Sequence, residues 1–211
     1  MTTLTAVVVD IGMGNLRSVA KAVETAGGGR VTVVRSHDPD VVRRADRIVV
    51  PGQGAFAAYA RGFAGGLAEA LKEAVDRGVP YLGICLGLQI LFEGSEEAPG
   101  LAGFGWMRGQ VRRLTGAPGI KIPHMGWNQL ELEGGGHEHL EAAGGDGAWV
   151  YFVHSYHAVP TEPGVLRAAV GFGPNRVTAA VARDNVLGTQ FHPEKSQAAG
   201  LALLAGFLRG S

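Results

Sequence analysis

Val79-Pro80-Tyr81-Leu82-Gly83-Ile84-Cys85-Leu86-Gly87-Leu88-Gln89 carries the reading of the fold. The apolar run Val79 to Ile84 has the length and composition of a buried strand, and helical character begins immediately after it, over Leu86 to Phe92. A chain that turns from strand to helix with only Cys85 between them passes close to its neighbours. Glycines at 83 and 87 remove the β-carbons that would obstruct that passage, which gives a nucleophile elbow with Cys in place of Ser. Working outward, strands are predicted over Ala6 to Val9, Val31 to Arg35 and Arg47 to Val50, with helices over Leu16 to Ala26 and Leu67 to Arg77. Such alternation is the pattern of βαβ units in a parallel sheet, and the unbroken apolarity of Ala6-Val7-Val8-Val9 and Ile48-Val49-Val50 requires strands covered on both faces. From Gly105 to Gln190 the character changes to strand-like runs, such as Trp149 to Ala158 and Val177 to Val181, separated by Pro and Gly turns. A last helix is expected from about Ser196 to Leu208. The expectation is an α/β fold: an open, doubly wound, mostly parallel sheet with flanking helices and an antiparallel extension in the second half. No long polar linker divides the chain, so residues 1–211 are read as one domain.

Composition narrows the function. Nineteen basic and nineteen acidic side chains balance to zero, so no basic stripe offers counterion release to a phosphate backbone, and nucleic acid is not an expected partner. The first residues, Met1-Thr2-Thr3-Leu4-Thr5, lack the basic region of a signal peptide. No apolar run reaches the roughly 20 residues of a membrane span, so a cytoplasmic protein with no membrane partner is expected. A single cysteine excludes an internal disulfide and a multi-cysteine zinc site. Glycine clusters at 27–29, 134–136 and 144–145 read as flexible loops.

Ligands of open α/β sheets bind beyond the carboxyl ends of strands, where Cys85 falls. The helix after it would place its first amides and the positive end of its dipole beside the sulfur, favouring thiolate. A thiol nucleophile needs a base and a group to orient that base. Gln190-Phe191-His192-Pro193-Glu194-Lys195-Ser196, after a strand-like run, supplies His192 and Glu194 two positions apart, on one face if the segment is extended. Pro51-Gly52-Gln53-Gly54-Ala55-Phe56 follows another strand, where backbone amides could complete an oxyanion hole with the amide of Leu86. Asp10-Ile11-Gly12-Met13-Gly14-Asn15 resembles the start of a dinucleotide fingerprint, but Arg17 occupies the third glycine position, so no nicotinamide cofactor is expected. His137 and His139 are read as part of a solvated loop without a third metal ligand, and no metal is expected. His124, His154 and His157 are read as core or site-edge histidines satisfied by hydrogen bonds.

Gly83 to Gly87 together with His192-Pro193-Glu194 resembles the paired motifs of the class I, triad-type glutamine amidotransferases. The likeness extends to Asp10 to Asn15, Pro51 to Phe56 and Gln89. It implies a flavodoxin-like sheet and a Cys85, His192, Glu194 triad that forms a covalent glutamyl thioester. It also implies an oxyanion hole from Leu86, Gln53 and Gly54, and substrate contacts at Gly52, Gln89, Ser155 and Tyr156. Gln53 stands where that family more often has a small apolar residue. Lys121 to Asn128, Tyr151 to Tyr156 and His192 to Ser196 are most similar to the branch whose members supply ammonia in imidazole glycerol phosphate synthesis, a step of histidine biosynthesis. That branch implies a heterodimer with a (β/α)8-barrel cyclase subunit, with Asn15, Trp127, Tyr151 and Lys195 near the ammonia exit or the partner. Two other readings stay open on the residues alone: a stand-alone cysteine hydrolase, and a non-catalytic binding module on the same scaffold. Within the family, a glutaminase for another biosynthetic acceptor is the alternative.

Overall fold

Ala6 and Val8 enter one hydrophobic core while Val7 and Val9 enter another, and all four are fully buried, as an unbroken apolar strand between two layers requires. The computed structural model describes residues 3–209. Its first half runs β1 (Leu4–Val9), α1 (Leu16–Gly27), β2 (Val31–Ser36), α2 (Pro39–Arg43), β3 (Arg47–Gly52), α3 (Phe56–Arg61), α4 (Leu67–Asp76), β4 (Tyr81–Cys85) and α5 (Leu86–Gln89). There follow β5 (Gly94–Ser95), β6 (Gly109–Arg113), β7 (His124–Gln129), β8 (Glu131–Leu132), α6 (Glu138–Ala142), β9 (Trp149–His154) and β10 (Tyr156–Pro160). The chain ends with β11 (Leu166–Phe172), β12 (Asn175–Arg183), β13 (Val186–Thr189), a 3-10 turn over Pro193–Lys195 and α7 (Gln197–Arg209).

The eight-stranded sheet has the order β2-β1-β3-β4-β13-β12-β11-β8. Strands β2 through β13 in that order are parallel, and β12, β11 and β8 extend the sheet antiparallel, as expected. Apolar side chains of α1 and α7 pack on one face, and those of α2, α3 and α4 on the other. Helix α1 starts where the Asn15 side chain accepts from the Ser18 amide, and stops at Gly28, whose left-handed conformation (φ 55°) lets its N–H cap Glu24. The 27–29 glycine cluster is therefore a helix terminator rather than a flexible loop. Among the described residues no helix is long and apolar enough to cross a membrane.

The expected elements differ from the observed ones in further places. Helices α2, α3 and α6, at five, six and five residues, are too short to show a helical period and escape a reading by periodicity. The helix expected over Leu86 to Phe92 ends at Gln89, so the charge near Cys85 comes from one turn of amides and not from a long dipole. The stretch Trp149 to Ala158 is two strands broken at Ser155. Strand β9 pairs with β7 in a two-stranded ribbon, while β10 pairs with β6 in a separate three-stranded sheet.

Candidate active site

Three neighbouring strand ends build the site. Gly52 at the end of β3 is in register with Cys85, and Thr189 at the end of β13 is in register with Ile84, so Gln190 leaves the sheet beside Cys85. Strand β13 reaches this place only after the long excursion through β5 to β12.

The elbow is as tight as its glycines imply. A β-carbon on Gly83 would lie 2.1 Å from the Gly87 carbonyl oxygen, and one on Gly87 would lie 1.8 Å from that of Val50. Cys85 is held at φ 57° and ψ −105°, a left-handed backbone that costs on the order of 1–3 kcal/mol and persists only because its surroundings over-determine it. Part of that support is two buried phenols. Tyr81 donates to the Gly87 carbonyl at 2.9 Å and Tyr59 donates to that of Pro51 at 3.1 Å. Burial raises both phenol pKa values, which keeps the hydroxyls as neutral donors. The Tyr59 ring fills the space where a Gly52 β-carbon would fall, 2.3 Å away.

His192 and Glu194 meet, but not on an extended segment. His192 is extended and the chain then closes into the Pro193–Lys195 turn, which returns Glu194 so that its Oε1 accepts from His192 Nδ1 at 2.8 Å. Their side chains are 2% and 1% exposed. The His192 backbone is anchored to β9: its N–H donates to the Tyr151 carbonyl, and Ser196 Oγ donates to the His192 carbonyl while accepting from the Tyr151 N–H. Burial pulls the His192 pKa down, but Cys85 and Glu194 pull harder in the other direction, and it is pushed up to about 9. His192 Nε2 is buried and makes no hydrogen bond of ordinary geometry among the described residues.

A cavity of about 390 Å³ opens above the sulfur, lined by Gln53, Gly54, Cys85, Leu86, Gln89, Glu97, Pro123, Val153, His154, Ser155, Tyr156 and Lys195. Most of the residues expected at the site meet on this wall. Gly52 does not: it is buried beneath, against Tyr59 and Leu86, so it shapes the floor without touching the cavity. Lys195 Nζ lies 5.9 Å from the Tyr151 ring, and Tyr151 pairs across the ribbon with Trp127, so these three form one patch at the rim. Asn15 follows Gly14, which lies against the Gln53 amide.

Residues 7–209 match the family profile described as glutamine amidotransferase class-I. The chain belongs to the class-I glutamine amidotransferases. It is 49% identical over 208 residues to the Imidazole glycerol phosphate synthase subunit HisH of Rhodospirillum rubrum, an alignment covering 95% of this chain and 96% of that one. It is 48% identical over 202 residues to the protein of the same name from Synechococcus elongatus, covering 95% and 91%. The solved structure of PurLQS from Thermotoga maritima superposes with a TM-score of 0.73 at 22% identity over 98% of each chain, a likeness of fold.

Two polar side chains at the amidotransferase pocket carried no assignment in the sequence. Glu97 lines the cavity, its Oε2 accepting from the Phe56 N–H at 2.9 Å. Nothing in Gly94-Ser95-Glu96-Glu97 distinguishes it from Glu96, whose carboxylate accepts from the Arg113 N–H outside the cavity. Gln190 is fully buried against Cys85. The histidines read as satisfied are so. His124 and His154 share a 3.0 Å hydrogen bond, and His157 Nδ1 accepts from the Thr178 N–H. His137 and His139 are not in a solvated loop: His137 caps α6, and the His139 ring packs edge-on against Phe207 of α7.

Proposed function

We propose that this chain is the glutaminase subunit of an imidazole glycerol phosphate synthase, hydrolysing glutamine at Cys85 and passing the ammonia to a cyclase subunit. The observation that carries the proposal is the buried Cys85, His192, Glu194 arrangement beneath a cavity of amino-acid size, in a chain nearly half identical along its length to proteins of that name. The Cys85 thiolate attacks the carboxamide carbon while the amides of Leu86 and of Gln53 or Gly54 receive the developing oxyanion. As the C–N bond breaks, the His192 imidazolium gives its proton to the departing amine, leaving ammonia and a glutamyl thioester. Neutral His192 then takes a proton from water, the hydroxide displaces the sulfur, and glutamate leaves with the thiolate and imidazolium restored. Glu194 keeps the imidazole in the tautomer with Nδ1–H and stabilises its cation.

Substrate recognition follows from the donor inventory. Gln89 spends its amide hydrogens on the Tyr156 carbonyl and Gln190, so it offers the substrate its buried, unpartnered Oε1, an acceptor for the α-ammonium. The Glu97 carboxylate supplies the charge on that side of the cavity. Ser155 and Tyr156 serve the substrate's backbone groups. The rim patch of Trp127, Tyr151 and Lys195, with Asn15 nearby, faces the partner, a (β/α)8-barrel cyclase. Exposed Met125 (62%), Trp127 (42%) and Trp149 (54%) on the β7–β9 ribbon support a covered surface there. Ammonia joins a phosphoribulosyl formimino precursor in the partner to give imidazole glycerol phosphate and an aminoimidazole carboxamide ribotide.

The test is glutamate release by the chain alone and with a cyclase subunit carrying its nucleotide ligand. Strong activation by the liganded partner is expected. Cys85→Ala should abolish glutamine-dependent synthesis and spare synthesis from added ammonia. Equal activity of the isolated chain would indicate an independent hydrolase, and no activity in either state would indicate a binding module.

A further inference from the structure

We propose that Gln190 is a further catalytic residue, whose side-chain amide, oriented by Gln89, donates to the Cys85 sulfur and holds it as the thiolate. The inference rests on Cys85 being the nucleophile proposed above. Gln190 Nε2 lies 3.5 Å from Cys85 Sγ, and Gln89 Nε2 lies 2.9 Å from Gln190 Oε1, with Gln89 and Gln190 both buried.

Which end of each amide faces which neighbour is fixed by one atom. The Tyr156 carbonyl can only accept, and Gln89 approaches it at 2.9 Å, so that end of Gln89 is the NH2. The same NH2 meets Gln190, which must therefore present its oxygen. The NH2 of Gln190 is then left facing the sulfur, and the reverse orientation would set two donors against each other. His154 Nδ1 also donates to the Tyr156 carbonyl at 2.8 Å, so the reference atom is held from two sides. A fixed N–H donor next to a buried sulfur favours the charged form over the thiol, and it lies ready before substrate arrives. The thiol proton passes to His192. Gln190 transfers none.

The titratable groups around the sulfur are His192 with Glu194 behind it, Tyr59 below the elbow, and Glu97, His154, Tyr156 and Lys195 in the cavity, and none of them is substituted in the test. With a single cysteine in the chain, the rate of alkylation by iodoacetamide against pH reports the Cys85 thiolate alone. Gln190→Met removes the donor at similar volume, and Gln190→Glu sets an acceptor oxygen against the sulfur. In Gln190→Met the alkylation midpoint is expected to rise by about one pKa unit, a roughly tenfold slower reaction at about pH 7 with the high-pH rate unchanged. Gln190→Glu should shift it further. A folded Gln190→Met with the wild-type midpoint overturns the proposal, because a purely structural role would lower stability without moving that midpoint. If neither variant folds, the side-chain amide resonance of Gln190 in the wild-type chain decides: it must titrate with the Cys85 midpoint, and a resonance that ignores that midpoint overturns the proposal. Absence of Cys85-dependent glutamine hydrolysis by the wild-type complex would count against the proposed function, while the alkylation profiles still decide Gln190.

Discussion

Replacing Glu194 by Gln isolates the charge on the group that orients the base. The glutamine carbonyl can still accept from His192 Nδ1 in place of Oε1, and because Glu194 Oε2 has no partner among the described residues, the new NH2 displaces no existing hydrogen bond. What goes is the charge on a 2.8 Å contact between side chains that are 2% and 1% exposed. A hydrogen bond to a charged group contributes on the order of 1.5–3 kcal/mol, or roughly one to two pKa units. His192 should therefore fall from about 9 toward roughly 7 to 8 as burial regains ground. The imidazolium that forms as Cys85 attacks loses the same stabilisation, so kcat for glutamine should fall about 10- to 100-fold with little change in KM. Stability follows with a definite sign. A histidine raised above its ordinary value near 6.5 contributes stability that is fully present below that pH and is lost as pH rises through about 9; in the variant the loss comes earlier. Glutamate release with the liganded partner measures kcat, and the ring resonances of His192 in the isolated chain measure its midpoint. A kcat within about threefold of wild type, or a His192 midpoint still near 9 in the folded variant, would refute the reasoning.

Other perturbations test separate parts of the site. Gly87→Ala places a β-carbon 1.8 Å from the Val50 carbonyl oxygen, and denaturant unfolding should show a loss of about 3 kcal/mol or more; a loss under about 1 kcal/mol would mean the elbow can relax. Glu97→Gln keeps an acceptor for the Phe56 N–H and removes the charge proposed to meet the substrate ammonium, so KM for glutamine should rise about tenfold or more with kcat nearly kept, and an unchanged KM would remove Glu97 from recognition. Burial lowers His124 to about 4 and His154 to about 3, so both stay neutral in the native state at pH values where the unfolded chain binds protons. Stability should decline as pH falls from about 6.5 toward 4, and His124→Gln should flatten urea midpoints across that window; parallel profiles would contradict the assignment.

Features that depend on neighbouring residues were legible in the sequence. Gly83-Ile84-Cys85-Leu86-Gly87 specifies the elbow because each glycine meets backbone that no side chain can displace, and alternating apolar runs specify a parallel sheet buried on both faces because hydrophobic periodicity is local. His192 and Glu194 were identifiable as a pair, although the turn that joins them was not, since His-Pro-Glu is compatible with both an extended strand and a 3-10 turn until Tyr151 and Ser196 fix the His192 backbone. The break at Ser155 was hidden in the same way, because β9 and β10 are both strand-forming and differ only in the partners, β7 and β6, that claim them. Only tertiary structure set Gln190 beside Cys85, 105 positions away, by pairing β13 with β4, and placed Glu97 on the cavity wall against the Phe56 N–H while Glu96 went to the Arg113 N–H. Sequence alone determined which groups could react, since reactivity belongs to the residue and its immediate backbone. Their convergence on one sulfur was decided by strand pairing across the whole chain, where burial of distant apolar surface outweighs any local preference.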